Sequence, residues 1–189
     1  LHHLVIHPPK SRDCIPMFLL LERYGADAEK ALTRQDETPL MLSIKNDFQE
    51  AAEFFLQKSS FLGQRNIHGE TALHKAVEKN NLGMARLLLE RGADINEQNN
   101  NGASPLHIAA QHNYAYIVEM LVEKGANPFI KDSKARQPDA LCQGWQQHRT
   151  QMLIANAQAA WRHKHGNNIE HGKVYRAKKL SSKPWKNRG

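Results

Sequence analysis

Thr71-Ala72-Leu73-His74-Lys75-Ala76-Val77 opens the clearest segment of the chain, and its first four residues return 33 positions later as Ser104-Pro105-Leu106-His107. The same interval backwards lands on Thr38-Pro39-Leu40, and forwards from Ser104 on Gln137-Pro138-Asp139-Ala140, a degraded copy. A constant period of this length predicts a solenoid of stacked units, not one globular core. The functional question becomes which face of the stack binds, and what.

Within one unit the residues predict a pair of short helices. Thr71 stands where a helix begins, its hydroxyl able to accept a bond from a first-turn N–H. Pro39 and Pro105 occupy the first helical position of sister units, where a missing N–H costs nothing. Leu73, Ala76 and Val77 line one face of the first helix, and Asn80-Asn81-Leu82-Gly83 reads as a turn. Met84, Ala85, Leu88 and Leu89 form the stripe of the second helix, and Gly92 supplies the left-handed residue past its end. Ile117, Val118, Leu121, Val122 and Gly125 repeat this pattern in the next unit. The alanines allow close helix approach.

These residues resemble the ankyrin repeat, most strongly over Thr71–Asn127 and more loosely over Thr38–Ser60 and Gln137–Ala160. The resemblance implies an all-α solenoid of helix-turn-helix units with short β-turn fingers. Units open at Thr38, Thr71, Ser104 and Gln137, the last acting as a C-terminal cap, so that the repeats occupy 31–160. Leu19-Leu20-Leu21-Glu22-Arg23-Tyr24-Gly25-Ala26-Asp27 echoes Leu87–Asp94 and predicts a degenerate N-terminal capping repeat in 1–30. Pro8, Pro9 and Pro16 exclude a regular first helix through much of residues 8–16.

Of the 189 residues, 40% are hydrophobic but only 7% aromatic, which suits thin layers of Leu, Ala, Ile and Val. The longest apolar run, Met17-Phe18-Leu19-Leu20-Leu21, is far too short to span a bilayer. The chain starts at Leu1 without Met, so we expect a piece of a longer protein. Cys14 and Cys142 lie near opposite ends of the stack and are expected as free thiols in a reducing intracellular setting. The net charge of +7 belongs to the end of the chain: residues 161–189 hold nine Lys and Arg against Glu170 alone. This basic tail or linker carries Lys173, Arg176, Lys178, Lys179, Lys183, Lys186 and Arg188. A linker, a nuclear-import address, and a phosphate-binding anchor for nucleic acid or an anionic membrane are its competing readings. A histidine metal site on His163, His165 and His171 matches no zinc spacing, and neither metal nor cofactor is expected.

The resemblance further implies a non-catalytic module that binds another protein through the concave face and finger tips. The inner-helix positions that fall there are Leu42, Lys45 and Asn46; Lys75, Glu78 and Lys79; Ile108, Gln111 and His112; and Leu141. Finger positions include Gln64, Arg65, Gln98, Asn100, Lys131, Ser133 and Lys134, with Tyr114 and Tyr116 in an inter-helix turn. His74 and His107 are implied to tie adjacent repeats together through backbone bonds. Leu88, Asp94, Ile95 and Asn96 are similar to the pattern that asparaginyl hydroxylases modify, with Asn96 as acceptor. A monomer is expected, cytoplasmic or nuclear, or in a host cell if the chain is a secreted bacterial effector. Two rival readings are the targeting arm of a larger enzyme or effector, and a nucleic-acid-associated or nuclear adaptor using the tail.

Overall fold

The computed structural model describes residues 35–59, 62–144 and 147–165. The expected capping repeat in 1–30, Cys14 and the seven tail cations lie outside them.

Among the described residues there are seven α-helices, one 3-10 helix and no strand. They alternate between an inner and an outer row. The inner row is α1 (Pro39–Lys45), α3 (Ala72–Glu78), α5 (Pro105–Gln111) and the 3-10 helix (Pro138–Leu141). The outer row is α2 (Gln49–Lys58), α4 (Leu82–Glu90), α6 (Ala115–Glu123) and α7 (Gln147–His165). Each inner helix packs on its own outer partner and on the next inner element, as a one-dimensional stack requires. The core is correspondingly thin and continuous: Ala76, Val77, Met84, Ala85, Leu88, Ala109, Ala110, Val118 and Leu121 are fully buried.

The turns repeat as faithfully as the helices. Asp47, Asn80 and Asn113, each 33 apart, link the two helices of a unit with φ between 54° and 58°. Asn and Asp tolerate this left-handed conformation better than other L-residues. Past the outer helices Gly92 and Gly125 take φ 90° and 92°, as anticipated for the helix exit. The fingers are closed by side chains at a third 33-residue series. Asn66 Oδ1 accepts from the N–H of His68 and of Glu70, both at 2.9 Å. Asn99 repeats this toward Asn101 and Ala103, and Asp132 toward Lys134 and Arg136. Successive fingers then join by backbone bonds: Ile67 N–H to Gln35 O at 3.0 Å, Asn100 N–H to His68 O at 2.9 Å, Ser133 N–H to Asn101 O at 2.9 Å.

The last helix pair departs from the others. A single 3-10 turn replaces the seven-residue inner helix, and the outer helix grows to 19 residues. Asp139 stands where Leu40, Leu73 and Leu106 anchor the other units, so the leucine that holds the other inner helices inward is missing here. Gly144, at φ 85°, then turns the chain toward α7.

Candidate functional site

His74 and His107 do the tying work expected of them. The Thr71 N–H and hydroxyl both reach His74 Nδ1, at 3.2 and 2.9 Å. A backbone N–H can only donate, so Nδ1 is the acceptor and the proton sits on Nε2. Nε2–H then donates to Ala103 O of the next finger at 3.2 Å. Ser104, His107 and Arg136 O repeat the arrangement one unit on, at 3.2, 2.8 and 3.1 Å. Burial drives both imidazoles below the ordinary 6.5, against the opposing pull of these carbonyls and of Glu70 and Asp132. Both are neutral scaffold groups.

On the concave side a groove of about 360 Å³ runs between the inner helices and the fingers. Of the expected partner-binding residues it brings together Glu78, Ile108, Gln111, His112, Ser133, Lys134 and the buried Leu141. It adds Glu70, Asn99, Asn101, Asp132 and Arg136, which the sequence reading did not single out. The recurrence of Asn66, Asn99 and Asp132 at the repeat interval was the available signal for the finger bases.

Lys75 proves to be mostly a scaffold residue, with 10% of its side chain exposed and its ammonium 2.6 Å from Glu70 and 3.0 Å from Glu78. Burial lowers its proton affinity, but the two carboxylates outweigh that and hold the ammonium above its ordinary value. Glu70 is shifted the other way: burial raises it, and bonds from Lys75 and Asn66 bring it net downward. Leu42 and Leu141 fall in the same register as Lys75 and Ile108, yet both are buried and belong to the core. Ile108 itself is half-buried and packs on that core.

The remaining expected residues do not line the groove. Lys45 donates to Glu37 at 3.0 Å and to Gln35 at 3.4 Å. Lys79 is exposed, 4.0 Å from Asp47. Tyr114 stacks on His112 with ring centres 5.3 Å apart. Tyr116 is 66% exposed and lies under the Arg149 guanidinium, against the last helix. Among the fingers, Asn100 Nδ2 donates to Ile67 O at 2.8 Å and Gln98 Nε2 to Lys131 O at 3.0 Å, so both amides bind one finger to another. Arg65 similarly reaches Glu97 and Gln98 O, each at 2.9 Å. Lys131 and Lys134 are exposed. Asn96 accepts the Asn127 N–H at 2.8 Å, joining consecutive units.

Cys142 is buried, with its thiol pushed up to about 11 by burial and by the Asp139 charge. A thiol held protonated in this way is a poor nucleophile and suits a core residue. Among the described residues no cluster of three or more His, Cys, Asp or Glu is arranged to hold a metal ion. No helix there is long and apolar enough to cross a membrane.

The family model described as ankyrin repeats (3 copies) matches residues 1–99 and 69–132. No curated protein matches the sequence. Among solved structures, the ankyrin repeat domain of Bcl-3, described as a unique member of the IkappaB protein family, superposes with a TM-score of 0.62 at 27% identity. That alignment covers 69% of this chain and 56% of the matched one, so this chain spans only part of that domain's length. Ankyrin repeats are in general protein–protein interaction modules and typically non-catalytic. Period, paired helices, linked fingers and the bridging histidines all agree with the family match, and the chain belongs to the ankyrin-repeat family.

Proposed function

We propose that this chain binds a partner protein through its concave face and finger tips, with Ile108 near the centre of the contact. The observation that carries this reading is the open groove of about 360 Å³ between inner helices and fingers. Ile108 is apolar and part-exposed there, and Gln111, His112 and Lys134 stand exposed around it. A small apolar centre inside a polar rim is the usual anatomy of a binding patch. Lys45, Lys79, Tyr114 and Lys131 extend the rim, and the repeats in 31–160 form the binding body. Capture of partners by the full chain, compared with the Lys79→Glu/Ile108→Asp variant, tests the reading. Loss of capture by a folded variant is expected; unchanged capture overturns the concave-face assignment.

Asn96 is proposed, secondarily, as a hydroxylation acceptor, since its side chain is half-exposed at a unit exit. Mass spectrometry of protein from hydroxylase-containing cells should show one added oxygen on its peptide; an unmodified peptide removes the proposal.

A further inference from the structure

The groove is polarised. One wall, built by the second finger and α3, presents Glu70 and Glu78 with Lys75 between them, so two carboxylates share one ammonium. Glu78 is the outward member, 48% exposed against 16% for Glu70. The opposite wall, from the last finger, has Arg136 committed to Asp132 at 2.7 Å, while Lys134 beside them is exposed and has no ion pair among the described residues. One wall therefore carries an uncompensated negative charge and the other an uncompensated positive charge. Ile108 and Leu141 line the space between.

We infer that this groove receives an extended segment of a partner protein that seats one apolar side chain over Ile108. A basic residue of that segment lies against Glu78, and an acidic residue lies against Lys134. The inference rests on the concave-face reading and gives it a chemistry. A volume of about 360 Å³ holds a few side chains and no folded domain. Same-side residues of an extended chain recur roughly every 7 Å, so a flanking charge two to four positions from the apolar residue reaches a wall. A uniformly basic or acidic segment meets like charge on one wall, which selects against it. This chain's own end, with nine cations to one acid in 161–189, is disfavoured for the same reason.

Selection of random extended peptides from a phage-displayed library against the full chain tests this. Wild type should enrich an apolar residue flanked by a base on one side and an acid on the other. Lys134→Glu changes an exposed side chain with no ion pair among the described residues and makes both walls acidic. Its selected peptides should carry bases on both flanks, and it should bind the wild-type peptide at least tenfold more weakly. Glu78→Gln should weaken the preference for the basic flank alone, and Ile108→Ser should abolish enrichment of either class. No enrichment, unchanged motifs in Lys134→Glu, or binding indifferent to Ile108→Ser overturns the inference. So does peptide binding that appears only after deletion of residues 172–189, or self-association abolished by Ile108→Ser, since each assigns the groove to another occupant. If partner capture is lost in Lys79→Glu/Ile108→Asp while the peptide motif fails to switch, the concave-face reading stands and the charge assignment alone falls.

Discussion

Replacing His74 by Leu keeps an apolar side chain of similar size in a fully buried position and removes three hydrogen bonds. The Thr71 hydroxyl can rotate to a new partner, but the buried Thr71 N–H cannot. A stranded donor of that kind costs about 1–3 kcal/mol. Ala103 O is only part-buried and recovers some solvent, adding about 1 kcal/mol. The expected loss at neutral pH is therefore about 2–4 kcal/mol, concentrated at the junction between two units. Acid narrows the gap. Both bridging imidazoles are held below 6.5, so as pH falls through that value the unfolded chain takes up protons that the folded chain refuses. Wild type is thus most stable above that pH and loses up to about 1.4 kcal/mol per pH unit per imidazole below it, whereas the variant has one such imidazole fewer. Glu70 and Asp132 do not confuse the result, because they titrate below 4.5 and 3.8. Urea unfolding followed by circular dichroism at about pH 7.5 and about pH 5.5 reads both quantities. A variant as stable as wild type at the higher pH, or a gap that does not shrink at the lower one, refutes the bridging role.

Ala135 holds φ 57° where Gly69 and Gly102 hold the equivalent finger position, so Ala135→Gly should stabilise by roughly 0.5–1 kcal/mol in thermal or urea unfolding. Gly102→Ala should do the reverse and more strongly, because its Cβ would stand 2.7 Å from the Ser133 nitrogen of the next finger. Thr150 buries a hydroxyl without a partner in the core of the last unit, and Thr150→Val is expected to raise stability by about 1 kcal/mol in the same assay. The Cys142 peptide should stay unalkylated in folded protein near neutral pH and react only after unfolding; rapid labelling in the native state contradicts its burial and raised thiol pKa.

Local chemistry decided much of this protein before any packing is considered. The recurrence of Thr71-Ala72-Leu73-His74, the stripes ending at Gly92 and Gly125, and the small alanines encode units that must stack, because each signal acts within a few residues of itself. Tertiary structure decided what the same register means in each unit. Leu42, Lys75, Ile108 and Leu141 share one position, yet Leu42 and Leu141 sink into the core, Ile108 stays half-open, and Lys75 is clamped by Glu70 and Glu78. Lys75 is held by near neighbours in sequence, Glu70 five residues before it and Glu78 three after, whereas the burial of Leu42 and Leu141 depends on what packs over them. Ala135 is instructive in the same way. Gly69 and Gly102 are demanded by the finger that follows them, whereas the described chain after Ala135 continues into the 3-10 turn and α7 with no further finger, so only a backbone preference remains to resist a Cβ. Period and helix pairing follow from short-range sterics and hydrophobic spacing. The polarity of the groove arises only when separate fingers and helices are brought together, because charge pairing depends on distance in space and not on distance in sequence.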